Sequence, residues 1–116
     1  MTAEDRARRA AQRQLDAYNA RDAKAFALCF HPDVRLFDLR THEETGRGRE
    51  HLEARYGELF ERCPDLHAMI SNRSVVGNVA FDQELVTGMR DEPVHAMAMY
   101  EVDDDELITQ VWFVVR

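Results

Sequence analysis

The sequence predicts one α+β domain, in which helices precede and pack against an antiparallel sheet. Apart from one strand and a loop in between, apolar residues recur with helical spacing as far as Cys63, and Pro64 ends that pattern. Beyond Pro64 the apolar residues alternate as they do in strands, and turn residues separate the alternating segments. The length of 116 residues suits a single domain spanning 1–116.

Two helices are predicted at the start of the chain. Thr2 and Asp5 have the spacing of a capping box, and helical periodicity then runs from about Ala3 to Asn19. Asp22 is a good N-cap for a short second helix that carries two phenylalanines one turn apart. The motif His31-Pro32-Asp33 is expected to end this helix, because the residue before a proline is disfavoured in the helical region.

A strand over Val34–Leu39 and a polar loop over Arg40–Gly48 are predicted next, and a third helix begins near Arg49 and stops at Pro64. The last part of the chain reads as an antiparallel meander of four strands: Leu66–Val76, Val79–Thr87, Val94–Val102 and Leu107–Arg116. A long sheet with its helices on one face tends to curl around them, and the hollow between the two is a natural ligand pocket.

The charge balance argues against polyanionic partners. The chain has 15 basic and 22 acidic residues, a net charge of −7, so neither nucleic acid nor an anionic membrane is an expected partner. No apolar run reaches membrane-spanning length, and the charged N-terminus lacks a hydrophobic signal core. A cytoplasmic location is therefore expected.

No metal or other cofactor is expected. The five histidines have no ligand spacing, and the two cysteines, Cys29 and Cys63, follow apolar helical patterns that are typical of buried free thiols. Among the histidines, His42 has the best functional alternative, because its loop follows Asp38 and is able to close over a pocket mouth.

Three segments carry a resemblance to a known superfamily: LDAYNARDAKAFALCFHPDVRLFD, GRGREHLEARYGELF and YEVDDDELITQVWF. With the order of the elements, they resemble the nuclear transport factor 2-like superfamily, and within it the SnoaL-like and ketosteroid isomerase-like branch. The resemblance implies a cone-shaped, curved antiparallel sheet wrapped around N-terminal helices, a cystatin-like α+β barrel with an apolar pocket. This fold hosts isomerases, cyclases, dehydratases, transport factors and oligomerisation domains.

The resemblance also assigns residues. It places Asp38 where ketosteroid isomerases hold the carboxylate that moves the proton, and Tyr56 where they keep a supporting tyrosine. The tyrosine and the protonated aspartate that form their oxyanion hole are matched here by Gln14 and Ala98. Since an enolate needs strong donors where its charge develops, the chain is not expected to be an authentic ketosteroid isomerase.

Two readings of the carboxylates follow from local sequence. Asp38 follows Leu36 and Phe37, so partial desolvation would raise its pKa and make it a usable base; the alternative is a solvent-facing aspartate at a strand end.

On the second meander strand, alternation puts Phe81 and Gln83 in the pocket and Asp82 and Glu84 outside. The inverted register would give the pocket both carboxylates.

The expected substrate-binding residues are Gln14, Tyr18, Phe26, Phe60, Phe81, Gln83, Ala98, Tyr100, Val111 and Phe113. The function expected for them is a cofactor-independent isomerase, cyclase or dehydratase, with Asp38 as general acid/base and Tyr56 beside it, acting on a small apolar carbonyl compound. The alternative is a non-catalytic ligand-binding or dimerisation module of the same fold. A homodimer is expected through the outer face of the sheet around Trp112, with Met97 and Met99 on the neighbouring strand.

Overall fold

Three helices pack against one six-stranded sheet in the computed structural model, which describes residues 1–116. The helices are α1 (Ala3–Asn19), α2 (Ala23–Ala27) and α3 (Arg49–Arg62). The strands are β1 (Phe30–Asp38), β2 (Glu44–Arg47), β3 (His67–Val76), β4 (Val79–Thr87), β5 (Val94–Val102) and β6 (Ile108–Val115). The predicted α+β class is confirmed.

The sheet has the order β2-β1-β6-β5-β4-β3. Strands β3 to β6 form the predicted antiparallel meander. Strand β1 pairs parallel with β6 and antiparallel with β2. Helix α1 contacts β3, β4 and β5, while α3 contacts β1 and β2, so the helices cover one face of the sheet.

The caps of the first two helices are those that the sequence predicted. The Thr2 hydroxyl accepts a hydrogen bond from the Asp5 backbone N–H at 3.0 Å, and the Asp5 carboxylate accepts one from the Thr2 backbone N–H at 3.2 Å. The Asp22 carboxylate accepts from the Ala25 backbone N–H at 3.0 Å. These bonds satisfy N–H groups that have no partner within the helix.

The second helix is shorter than predicted, and the first strand is longer. Helix α2 ends at Ala27, and Phe30 already pairs with Ile108 of β6. Pro32 is tolerated in β1 because the pairing with β6 is interrupted between Phe30 and Arg35, where no ladder hydrogen bond is needed. Tertiary pairing therefore overrides the helical spacing of Phe26 and Phe30.

The predicted loop Arg40–Gly48 contains a strand that the sequence analysis missed. Strand β2 pairs with β1, and Glu44 on it forms ion pairs of 2.8 Å with both Arg35 and Arg47. Its residues are polar and mostly exposed, so no alternation of apolar residues indicates it. The remaining boundaries agree with the prediction to within one residue.

A cluster of aromatic rings joins the helices at one side of the core. Its neighbouring ring centroids lie 4.7 to 6.3 Å apart, in the tilted and edge-to-face arrangements that aromatic pairs prefer. Its members are Tyr18, Phe26, Phe30, Tyr56 and Phe60. On the opposite side, the fully buried Ala7, Ala10 and Ala11 let α1 approach the sheet closely.

No helix is both long enough and apolar enough to cross a membrane.

Candidate functional site

A cavity of about 540 Å³ lies between the helices and the inner face of the sheet. Eighteen of its 27 lining residues are hydrophobic. The buried polar residues of the lining are Gln14 and Glu84, whereas the charged side chains around the entrance are exposed or partly exposed. A cavity of this size with few polar groups is typical of a small-molecule site.

Most of the predicted site residues line this cavity. They are Gln14, Tyr18, Phe26, Asp38, Tyr56, Tyr100, Val111 and Phe113. Their side chains come from α1, α2, α3, β1, β5 and β6, so the fold brings together residues that are far apart in the sequence.

Four predicted lining residues lie elsewhere: Phe60, Phe81, Gln83 and Ala98. Phe60 is buried behind the rings of Tyr18 and Tyr56. Ala98 is fully buried on the inner face of the sheet, where it pairs with Asp82. Phe81 and Gln83 point to the outer face, because β4 has the inverted register that the sequence left open.

The inverted register of β4 follows from an ion pair at its start. Ala80, Asp82, Glu84 and Val86 are the buried residues of this strand. Asp82 is fully buried and accepts two hydrogen bonds from Arg73 on β3, at 2.6 and 3.0 Å. Since a buried charge needs a partner, this bidentate contact fixes which face of β4 turns inward.

Glu84 is the second buried carboxylate, and it has no arginine partner. The residue is 8% exposed, and Oε1 accepts a hydrogen bond of 3.4 Å from the Tyr100 hydroxyl. Burial, and then the negative charge of Asp82, raises the pKa of Glu84 to about 7, while the Tyr100 hydrogen bond and the charge of Arg73 oppose the rise. Glu84 therefore exchanges a proton near neutral pH.

Two further hydroxyl groups line the cavity without a protein acceptor. Of the three tyrosines, only Tyr100 donates a side-chain hydrogen bond. The rings of Tyr18 and Tyr56 meet edge-on with centroids 6.3 Å apart. Burial raises the pKa of both phenols, so they stay protonated and can donate to a ligand. The Gln14 amide is already engaged, since Nε2 donates to the Ala11 carbonyl at 3.0 Å.

Asp38 lies at the cavity entrance and differs from the expectation of a desolvated base. Its Oδ1 accepts hydrogen bonds from the backbone N–H groups of Arg40 at 2.8 Å and Thr41 at 3.1 Å. These bonds, the one from Thr41 first, lower the pKa of Asp38 below its ordinary value. The carboxylate is thus built into a turn. His42 follows that turn with a positive φ of 64° and does not line the cavity.

The sequence analysis favoured the other register of β4 and left the observed one open, although the sequence contained a signal that decides between them. The turn at Gly77-Asn78 pairs Val76 with Val79, and counting back from it sets Arg73 opposite Asp82. That pairing puts Asp82 and Glu84 on one face with a cation beside the first carboxylate only. No group of three His, Cys, Asp or Glu side chains is arranged to hold a metal ion.

Comparison with solved structures gives the same fold. The chain is 24% identical to an uncharacterized cystatin fold protein from Novosphingobium aromaticivorans, with a TM-score of 0.82 over 98% of both chains. It is 24% identical to a provisionally assigned ketosteroid isomerase from Kribbella flavida, with a TM-score of 0.83 over 100% of this chain and 82% of the other. A provisional SnoaL-like polyketide cyclase from Jannaschia is 18% identical, with a TM-score of 0.80 over 97% of this chain and 86% of the other.

No curated protein matches the sequence. The sequence profile of the SnoaL-like domain, however, matches residues 11–111, which include the second half of α1, all of the elements from α2 to β5, and the first half of β6. The residues that line the cavity lie within this span except for Phe113 and Val115. The chain therefore belongs to the SnoaL-like domain family.

Proposed function

We propose that the cavity binds a small, largely apolar carbonyl compound and that Glu84 moves a proton at the carbon next to the carbonyl group. The observation that carries the proposal is the position of Glu84, a carboxylate with a pKa of about 7 in the wall of an apolar cavity. A general base is most effective when its pKa lies near the working pH. The similarity to provisionally assigned isomerase and cyclase structures fits this reaction class.

In the proposed step, the ionised Glu84 takes a proton from the α-carbon of the substrate. The electron pair of the broken C–H bond moves onto the carbonyl oxygen, which gives an enolate and a neutral Glu84. If the substrate carries a C=C bond next to the α-carbon, the oxygen pair re-forms the C=O bond, the double bond shifts, and neutral Glu84 returns the proton to the far carbon, which completes an isomerisation. If the enolate carbon instead attacks a second carbonyl group, a ring forms, and the resulting alkoxide takes the proton back from neutral Glu84. Both outcomes balance without a cofactor.

The enolate oxygen needs donors, and the cavity offers the hydroxyl groups of Tyr18 and Tyr56. Neither donates to a protein acceptor, and burial keeps both protonated. Donors that wait in an apolar cavity stabilise developing negative charge more than donors in water do. These two tyrosines take the role for which Gln14 and Ala98 are unsuited.

The resemblance to ketosteroid isomerases implied that Asp38 is the base. Its two backbone hydrogen bonds favour the ionised form and lower its pKa, which makes it a weaker proton acceptor than Glu84. We therefore assign the proton transfer to Glu84, and the comparison of Glu84→Gln with Asp38→Asn separates the two assignments.

Hydrogen–deuterium exchange at the α-carbons of 2-tetralone, followed by NMR in deuterated buffer, tests the proposal without knowledge of the natural substrate. The wild-type protein is expected to accelerate exchange over buffer, with a rate that rises through about pH 7 as Glu84 ionises. Glu84→Gln is expected to lose about a hundredfold or more of that rate, and Asp38→Asn to stay within about threefold.

Loss of exchange in Asp38→Asn alone would return the role of the base to Asp38. Tight binding of 2-tetralone with no accelerated exchange in the wild-type protein would contradict an enzymatic role. It would favour the alternative of a non-catalytic ligand-binding module.

A further inference from the structure

Four arginines surround the entrance of the cavity without any protein partner. These rim arginines are Arg40, Arg55, Arg62 and Arg90. Each is exposed, and none forms an ion pair or a side-chain hydrogen bond. The only other arginines without such a contact are Arg8 and Arg116, so four of the six unpartnered guanidinium groups meet at one opening.

Three different parts of the fold deliver the rim arginines. Arg55 and Arg62 lie two turns apart on one face of α3, Arg90 lies in the loop between β4 and β5, and Arg40 lies between β1 and β2. Their positive charges thus converge on one opening of a molecule whose net charge is −7.

The carboxylates near the entrance do not neutralise this charge. Asp38 is engaged by two backbone N–H groups, and Glu58 is not within 4.0 Å of any arginine nitrogen. Glu84 lies deeper and is buried. Asp91 and Glu92 follow Arg90 along the chain but form no ion pair with it. Among the exposed or partly exposed residues that line the cavity, four positive charges thus face two carboxylates, while the interior is largely apolar.

We propose that the ligand of this cavity carries a carboxylate or sulfonate group, and that the rim arginines bind this group while the apolar body lies inside. The inference rests on the proposed function, in that the cavity is taken to be a ligand site. Guanidinium groups suit it because they bind carboxylate and sulfonate oxygens with paired hydrogen bonds. A positive entrance on an acidic protein also concentrates anionic ligands there.

The position of Arg62 also has a structural explanation that does not involve a ligand. It lies in the last turn of α3, where a cation interacts favourably with the helix dipole. The test therefore changes Arg55 and Arg90. The double variant Arg55→Gln/Arg90→Gln has a matched control in Arg8→Gln/Lys24→Gln, which removes the same charge from two side chains that form no ion pair and line neither the cavity nor the smaller pocket beside Arg90.

Two fluorescent probes with the same skeleton separate charge from shape. 8-Anilinonaphthalene-1-sulfonate carries a sulfonate, and N-phenyl-1-naphthylamine is the same molecule without it. We expect Arg55→Gln/Arg90→Gln to weaken binding of the sulfonate probe about tenfold or more and to leave the neutral probe within about twofold. The control variant is expected to change both Kd values by less than about twofold, with circular dichroism showing that both variants are folded.

Equal weakening of the sulfonate probe in both double variants would overturn the proposal, since net charge alone would then explain it. An unchanged Kd for the sulfonate probe in Arg55→Gln/Arg90→Gln would also overturn it. If the wild-type protein binds the neutral probe but shows no dependence on the rim arginines, only this inference fails. If it binds neither probe, the proposed function fails with it.

Discussion

The Tyr100 hydroxyl donates a hydrogen bond of 3.4 Å to Oε1 of Glu84, and both side chains are buried in the same wall of the cavity. At that length the bond only partly compensates the carboxylate for its lost hydration. The uncompensated part raises the pKa of Glu84 to about 7. The same feature that makes Glu84 a usable base is therefore expected to weaken the fold.

Replacing Glu84 with glutamine should stabilise the protein at high pH. In the folded chain Glu84 keeps its proton up to about pH 7, whereas in the unfolded chain it releases the proton near its ordinary pKa of 4.5. The free energy of unfolding therefore falls between about pH 4.5 and 7 and then levels off. We expect Glu84→Gln to raise the free energy of unfolding by about 2 kcal/mol at pH 8 and by much less at pH 4.5. Urea unfolding at the two pH values measures this difference.

Asp38→Asn provides the control of opposite sign. Folding lowers the pKa of Asp38, so the ionised carboxylate stabilises the folded chain fully at any pH above its ordinary pKa of 3.8. This stabilisation is lost only as the pH falls below that value. The effect of Asp38→Asn should therefore be the same at pH 4.5 as at pH 8 to within experimental error. An equal gain for Glu84→Gln at both pH values would contradict the assignment of a raised pKa.

Removing Arg73 should be among the most damaging single changes. Asp82 is fully buried and depends on the bidentate contact with Arg73, which itself donates to Gln12 at 2.9 Å. We expect Arg73→Met to lower the free energy of unfolding by about 3 kcal/mol, because it leaves a buried charge unpaired. Replacing both members, as in Arg73→Met/Asp82→Leu, should recover much of that loss in urea unfolding. A double variant less stable than Arg73→Met would contradict this account.

Gly88 holds the loop that carries Met89 and Arg90 at the cavity. Its φ is +82°, and a Cβ at this position would collide with the Asp65 carbonyl group. We expect Gly88→Ala to lower the free energy of unfolding by about 3 kcal/mol, because the clash is with backbone and cannot be relieved by a rotamer change. Gly77 is the matched control, since its φ is +57° with open space around it. Gly77→Ala should lose only about 1 kcal/mol, and similar losses in the two variants would refute the clash.

Much of this fold was predictable because its elements have strong local signals. Thr2, Asp5 and Asp22 cap helices as expected, and Gly77-Asn78 forms the expected turn. Helix α2 and strand β2 departed from the prediction because pairing with other strands decides their ends. No local pattern contains that information.

The candidate site was harder to predict, and β4 shows the reason. Both faces of this strand carry apolar residues, Ala80 and Val86 on one and Phe81 and Leu85 on the other, so alternation alone does not identify the inner face. The partner opposite Asp82 decides it. The pKa values were beyond prediction for a similar reason, because they depend on burial and on hydrogen bonds from other parts of the fold.

The protein should not be an efficient ketosteroid isomerase. Gln14 and Ala98 stand where the resemblance expects the two acidic donors; Ala98 does not line the cavity, and the Gln14 amide bonds to its own helix. We expect little or no isomerisation of a 5-ene-3-ketosteroid, measured by the absorbance of the conjugated product. The hydroxyls of Tyr18 and Tyr56, to which we assign the enolate of a smaller substrate, do not occupy the two donor positions that the resemblance expects for a steroid ketone. Turnover of roughly 10 per second or more would contradict this prediction.

The outer face of the sheet carries a continuous apolar row across four strands. Phe37 of β1 pairs with Trp112 of β6, Trp112 pairs with Met99 of β5, and Met99 pairs with Phe81 of β4. The Phe37 and Trp112 rings are stacked with centroids 5.7 Å apart. Because the inverted register turns Phe81 outward, the row is longer than the sequence analysis expected. Met97 adds an exposed thioether beside it.

We expect this row to be the centre of a homodimer interface. A contiguous apolar patch of aromatic and methionine side chains is typical of interface cores, and its burial against a second copy would remove it from water. Trp112→Asp should place a carboxylate at the two-fold contact, where it meets its own copy, and give monomers. Trp112→Phe, which keeps an aromatic ring, should remain dimeric. Sedimentation velocity at micromolar concentrations distinguishes the two states. A monomeric wild-type protein would refute the prediction, as would a dimer that persists in Trp112→Asp.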